Sequence, residues 1–161
     1  KWEAVGTMHI NIQSVEPSDI PTIAEMDKRC LPYDYWNEKS FEYAVNHLED
    51  ISYRYIFLKA VDSQAQTMGY IVATVVAEDC EVQSIAVDVP FRRRNVAKRL
   101  LNQLFLEVFG IASNVYLEVR KSNTSALNLY QKVGFEILGS RKNYYDYPRE
   151  DAILMAKSLT E

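Results

Sequence analysis

Cys80-Glu81-Val82-Gln83-Ser84-Ile85-Ala86-Val87-Asp88-Val89-Pro90 runs directly into Phe91-Arg92-Arg93-Arg94-Asn95-Val96-Ala97-Lys98-Arg99-Leu100-Leu101. The first half is apolar and β-branched, as a strand is. The second half is basic and then amphipathic. A strand is therefore expected to turn at Pro90, with a helix opening near Arg94. The N–H groups and positive dipole end of a helix start attract anions, so the stretch implies a site for a phosphorylated ligand. A basic run by itself is most often a solvated face, a nuclear-type address or a nucleic-acid patch. Its place between a strand and an amphipathic helix favours phosphate.

Working outward, Val96, Leu100, Leu101, Leu104, Phe105 and Val108 give the helix one apolar face, and Gly110 ends it. Asn114–Arg120 reads as the next strand. A further helix spans Asn123–Val133, with Gly134 as its C-cap. Phe135–Lys142 and Asp151–Ala156 are the last two strands. Before the opening stretch, Met68–Ala77 and Tyr53–Val61 read as strands joined by a hairpin turn at Asp62–Gln66. Met8–Val15 alternates as a first strand. Ser18 is the expected N-cap of a helix bearing Ile20, Ile23, Ala24 and Leu31, with Pro21 in its first turn. Asn37 caps a second helix with Phe41, Ala44, Val45 and Leu48 on its stripe. The order β-α-α-β-β-β-α-β-α-β-β implies a mixed α/β sheet with helices on both faces.

The totals agree with one domain over residues 1–161. A hydrophobic fraction of 48% and a charged fraction of 25% are ordinary for a globular protein. The net charge of −4 argues against wholesale nucleic-acid binding. Two cysteines, Cys30 and Cys80, make neither a disulfide framework nor a metal cluster and fit a reducing cytoplasm. No apolar run approaches the roughly 20 residues of a membrane span, and no secretory signal is visible. His9 and His47 stand too far apart to suggest metal. Cys80 adjoins no histidine and reads as structural.

Two alternations bear on chemistry. In the strand Asn114–Arg120, Val115, Leu117 and Val119 point one way and Tyr116, Glu118 and Arg120 the other. Glu118 is thus a carboxylate in mid-strand, costly unless hydrated or paired. In the helix Asn123–Val133, Tyr130 falls on the apolar stripe, where a core tyrosine is the simplest reading.

The element order and Arg92-Arg93-Arg94-Asn95-Val96-Ala97 resemble the GNAT superfamily of acetyl-CoA-dependent N-acetyltransferases, whose motif there is Gln/Arg-x-x-Gly-x-Gly/Ala. Leu117-Glu118-Val119-Arg120, Ser122-Asn123, Ala126-Leu127-x-Leu129-Tyr130, Val133-Gly134-Phe135, Lys142-Asn143-Tyr144-Tyr145 and Glu150-Asp151-Ala152-x-Leu154-Met155 are similar to its RimI-type protein N-terminal acetyltransferases. The resemblance implies a mostly antiparallel, mixed seven-stranded sheet splayed between strands four and five, with about four helices on both faces. Asn95 stands where the motif has glycine. A helix-start conformation needs no positive φ, so acetyl-CoA binding is expected to survive the exchange.

The resemblance also implies roles. Backbone amides from Arg93 to Lys98, through Arg94, Asn95, Val96 and Ala97, would cradle the pyrophosphate, with Arg92, Arg93, Arg94, Lys98 and Arg99 adding charge. The pantetheine arm would pair with Ile85, Ala86 and Val87 on the freed strand edge, and an amide near Ile85 would serve the oxyanion. Glu118 is implied as general base, with Glu81 the second candidate. Tyr130 is implied as the acid that protonates the departing thiolate. Asn123 would touch CoA or simply cap its helix. The acceptor, a protein or peptide N-terminus, would lie between Leu31-Pro32-Tyr33-Asp34-Tyr35 and the loop carrying Tyr144 and Tyr145. Tyr33, Tyr35 and Trp36 could instead form a small apolar core. An aromatic Tyr33 points to a large or hydrophobic first residue such as Met. Two other readings stand beside this one: an acetyltransferase for a small amine, polyamine or lysine side chain, and a CoA-binding module without turnover.

Overall fold

The computed structural model describes residues 9–160. The elements follow the expected order: β1 (Asn11–Ser14), α1 (Ile20–Cys30), α2 (Glu38–Asn46), β2 (Arg54–Val61), β3 (Thr67–Val76), β4 (Asp79–Val87), α3 (Val96–Val108), β5 (Asn114–Arg120), α4 (Thr124–Lys132), β6 (Glu136–Asp146) and β7 (Arg149–Ser158). One sheet runs β1-β2-β3-β4-β5-β7-β6. Its pairings are antiparallel except for β4 with β5.

That exception opens the site. Among the described residues, β4 and β5 pair only at Asp79–Asn114, Cys80–Val115 and Glu81–Tyr116. β4 then continues to Val87 and β5 to Arg120 without touching as a ladder. A bulge contributes to the divergence. Val72 pairs with Ser84 but Ala73 pairs with Val82, so Gln83 is an extra residue. A bulge bends its strand and adds twist. It also exchanges faces: Cys80 and Val82 join the core under α3 and α4, while Ala86 joins the core under α1 and α2.

The two faces carry separate cores. Leu100, Leu101 and Leu104 of α3 meet Ile71, Val115, Leu117 and Met155 on one side. Ile23 and Met26 of α1 and Phe41 of α2 meet Phe57, Tyr70 and Val72 on the other. Each fully buried aliphatic side chain contributes about 1.5–3 kcal/mol. Gly69 is needed where β3 presses on β4, because a Cβ there would lie 2.7 Å from the Ala86 carbonyl oxygen.

Several boundaries differ from expectation. Met8 lies outside the described residues. Ser18 is not the cap of α1. A 3-10 turn at Pro17–Asp19 precedes the helix, and Asp19 instead accepts the Glu16 N–H at 2.8 Å. Asn37 caps α2 as expected, accepting from the Ser40 N–H at 2.9 Å. α3 begins at Val96 with Asn95 as its N-cap, just past the expected Arg94. β6 and β7 are longer than their apolar cores suggest, because Tyr145 and Asp146 still pair with Glu150 and Arg149.

Candidate active site

The turn before α3 holds two residues in the left-handed region, Arg93 at φ 63° and Asn95 at φ 64°. The expectation that position 95 needs no positive φ is therefore wrong. Asn is the non-glycine residue that tolerates this region best, so the departure from glycine is accommodated in kind. The Asn95 side chain makes no capping hydrogen bond. The first N–H groups of α3 have no partner within the helix and stand free for an anion. Left-handed residues in a tight turn also gather successive N–H groups into a concave nest. Arg93, Arg94 and Lys98 are exposed at this end, and Val96 is buried beneath it. Two other basic side chains, also exposed, are tied to backbone carbonyls. Arg92 Nε donates to the Val87 carbonyl at 3.0 Å, and Arg99 donates to the Ile10 carbonyl at 3.0 Å.

The freed edge of β4 can be read from its register. Asp88 N–H donates to the Met68 carbonyl, which makes Gly69–Val87 a pair without mutual hydrogen bonds. Alternation then turns the amides of Ile85 and Val87 toward the open side and those of Ala86 toward β3. Of the three residues expected to contact pantetheine, Ala86 thus has its backbone committed within the sheet. The Val87 carbonyl already accepts from Arg92 and, at 3.5 Å, from the Cys30 thiol.

Glu118 and Tyr130 approach this opening from opposite faces. Glu118 projects from β5 on the α1–α2 face, half-buried, with Arg141 Nε 3.3 Å from its carboxylate. Its negative charge, and then burial, hold the Tyr144 phenol above its usual pKa. Glu81 sits across from Tyr116 and accepts from Gln83 Nε2 at 3.0 Å. Its charge also reaches Tyr144, more weakly. Tyr144 meets Tyr145 edge to face with centroids 5.0 Å apart. Burial first, then the Asp34 and Glu118 charges, push Tyr145 up to about 12. Tyr130 lies under the other face, its ring against Phe135 at 5.8 Å. Burial first, and then Tyr145, raise its pKa. Tyr130 therefore keeps its proton through neutral pH, the state a donor requires. Its ring belongs to the core of that face, as the simplest reading expects. Asn123 caps α4, accepting from the Ala126 N–H at 3.2 Å.

The two acceptor-side segments are built differently from expectation. Tyr33 and Tyr35 are exposed, whereas Trp36 packs on Phe41 at 5.3 Å. Leu31 is half-buried and Pro32 exposed. Tyr144 and Tyr145 lie inside β6, not in a loop before the last strand. Arg141 pairs with Ala152 and Tyr145 with Glu150, so residues 142–144 oppose Asp151 alone. Asp151 accepts the Asn143 N–H at 2.8 Å, with Asn143 at φ 53°. This wide bulge carries Tyr144 to Glu118. Beneath the first segment, the fully buried Asp27 accepts from the Trp36 N–H at 2.8 Å and from the Tyr70 hydroxyl, which also meets Ser84 Oγ at 2.7 Å. Burial raises the Asp27 pKa against these two hydrogen bonds.

The family model described as the acetyltransferase (GNAT) family matches residues 20–135. The chain belongs to the GNAT acetyltransferase family. It is 34% identical over 153 residues to the [ribosomal protein bS18]-alanine N-acetyltransferase of Escherichia coli K12, covering 92% of this chain and 97% of that one. It is 29% identical over 161 residues to N-alpha-acetyltransferase 50 of Danio rerio, at 93% and 89% coverage. The crystal structure of the E. coli ribosomal-protein-S18-alanine N-acetyltransferase superposes with a TM-score of 0.82 over 94% of this chain and 95% of that one, at 29% identity. GNAT enzymes take their acyl group from acetyl-CoA, and Arabidopsis NAA60, solved with acetyl-CoA, shares the fold at TM-score 0.81 and 19% identity.

For this GNAT enzyme, sequence reasoning missed the residues that hold the site together. Arg120 was in view within Leu-Glu-Val-Arg but carried no role, and Asp34 was one letter of a loop. Arg141 and Asp27 gave no signal, since their partners Glu118 and Tyr70 are distant in sequence, and Gln83 gave none because its place is set by the bulge against β3. Cys80 is fully buried with its thiol pushed up to about 12 by burial, as a structural cysteine should be. Among the described residues no three His, Cys, Asp or Glu side chains gather into a metal-holding group, and no helix is long and apolar enough to cross a membrane.

Proposed function

We propose that this enzyme transfers acetyl from acetyl-CoA to the α-amino group of a protein N-terminus. The observation that carries the reading is Glu118 beside Tyr144 and Tyr145 on one face of the open seam, with Tyr130 on the other. Acetyl-CoA supplies an activated carbonyl and a thiolate leaving group. The free amides at the start of α3, with Arg93, Arg94 and Lys98 around them, hold its phosphates. The open-side amides of Ile85 and Val87 face its amide-bearing arm, and the Ile85 N–H donates to the carbonyl oxygen as it becomes an oxyanion. An α-amine has a pKa of about 8, so it needs only modest help. Glu118, directly or through one water, takes the amine proton as the carbon–nitrogen bond forms. Tyr130 Oη gives its proton to the sulfur as the carbon–sulfur bond breaks. Glu81 is the second carboxylate within reach of the same face. The exposed Tyr33 and Tyr35 and the Tyr144–Tyr145 pair form aromatic walls for the first residues of the acceptor.

Named relatives that acetylate protein α-amines support this acceptor class. The fold alone does not select it, since a spermidine N-acetyltransferase chimera shares it at TM-score 0.77 and 20% identity. The test is acetylation of a peptide library varied at its first two positions, beside spermidine and a peptide whose only amine is lysine. Peptides with a free N-terminus should be acetylated, and large apolar first residues such as Met preferred. CoA release with spermidine but with no N-terminal peptide would overturn the reading. Binding of acetyl-CoA with no acetylated amine would leave a module without turnover.

A further inference from the structure

Arg120 ends β5 two residues beyond Glu118 and on the same face. A guanidinium has five N–H donors, and this one uses all of them. Nε and Nη2 donate to the two carboxylate oxygens of Asp34 at 2.9 and 3.0 Å. Nη1 donates to Glu150 Oε1 at 3.1 Å and to the Pro148 carbonyl at 2.8 Å. Nη2 donates also to the Tyr147 carbonyl at 3.0 Å. Its Cζ lies 4.2 Å from the centre of the Tyr145 ring. Asp34 stands between Tyr33 and Tyr35 in the α1–α2 segment. Tyr145, Tyr147, Pro148 and Glu150 all belong to the β6–β7 hairpin. A side chain from a third element therefore spans the two segments that face each other across Glu118.

We propose that Arg120 is a positioning residue that sets the width and registry of the acceptor cleft by latching Asp34 of the α1–α2 segment to the β6–β7 hairpin. The proposal rests on the acceptor reading above. Several features separate a latch from an ordinary surface ion pair. The Asp34 contact is bidentate, which fixes direction as well as distance. The side chain of Arg120 is only 15% exposed, and that of Glu150 only 14%. Glu150 is itself held from behind, accepting the Ser122 N–H at 2.6 Å, so the hairpin end of the latch cannot drift. Asp34 is the more exposed partner, which makes the α1–α2 segment the side that swings when the contact is lost. Lysine cannot replace this arrangement, having a single point of charge and no planar fork.

The test is steady-state kinetics with an N-terminal peptide and acetyl-CoA for wild type, Arg120→Lys, Asp34→Asn and the double variant. Asp34→Asn leaves every hairpin contact of Arg120 in place, so it reports on the latch even where Arg120→Lys weakens folding. The expected result is a rise of about five- to tenfold in acceptor KM for each single variant, with acetyl-CoA KM unchanged. The double variant should show no more than the larger single effect, as two halves of one contact do. An unchanged acceptor KM in Asp34→Asn, or equal changes in both KM values, would overturn the latch while wild-type activity upheld the acceptor reading. A wild type that acetylates no N-terminal peptide would overturn the acceptor reading itself, and the latch with it.

Discussion

The proposed base Glu118 and the proposed acid Tyr130 lie on opposite faces of one opening, and each can be altered without disturbing its packing. Glu118→Gln keeps the shape of the side chain and its place beside Arg141, an ion pair exposed enough to be worth little. A positioned base contributes roughly a hundred- to ten-thousand-fold. The variant is therefore expected to lose kcat in that range with an unchanged Kd for acetyl-CoA. Its Tyr144 should also ionise at lower pH, since the nearby negative charge that holds the phenol proton is gone. Unchanged turnover would move the base to Glu81 or to water. Tyr130→Phe retains the contact with Phe135 and removes only the hydroxyl. A lower kcat at equal thermal stability is expected, and an unaltered rate would return Tyr130 to a purely core role.

At the scale of elements, the turn into α3 is the part most exposed to a single substitution. Position 95 is left-handed, where a side chain with Cβ is disfavoured by about 1–2 kcal/mol and a β-branched one more so. Asn95→Gly should leave stability and acetyl-CoA affinity close to wild type. Asn95→Val should lower stability by about that amount in urea denaturation and weaken acetyl-CoA, because the nest of amides and the helix start deform together. Equal behaviour of the two variants would show that the turn does not depend on φ at this residue. This turn also marks what the sequence could convey. Strand, basic turn and amphipathic helix were legible because their periodicities are local, and so were the Asn37 and Asn123 caps. The left-handed backbone was not, because asparagine serves either conformation. The wide bulge at 142–144 was hidden for a related reason: an apolar pattern ending at Lys142 looks like a strand end, and only pairing with β7 shows that it continues. Arg120 is legible as a motif letter, but its partners Asp34 and Tyr147 lie 86 and 27 positions away, a separation that no spacing rule covers.

At the scale of the molecule, the sheet is two half-sheets joined by a short parallel seam, with α3 and α4 bridging one face and the Arg120–Asp34 contact the other. An enzyme built this way keeps unpaired backbone groups in the middle of its own sheet, a state that proteins otherwise avoid by pairing or covering an edge. The arrangement persists because the core under α3 and α4 spans the seam, with Cys80, Val82, Val115 and Leu117 contributing from both halves. On the proposed reading, the donor's amide-bearing arm covers this open edge, so the donor stabilises the fold as well as reacting. Amide hydrogen exchange resolves this residue by residue. In the free protein Ile85 and Val87 should exchange fast, and Ala86, bonded to β3, slowly. Saturating acetyl-CoA should slow Ile85 and Val87 and leave Ala86 as it was. At a hundred times Kd it should also stabilise the fold by about 2.7 kcal/mol, or roughly 5–10 °C in Tm for a chain of this size. Slow exchange at Ile85 and Val87 without ligand would mean that the seam closes on itself in solution. A rise in Tm without added protection at those two amides would place the donor's arm somewhere other than the open edge of β4.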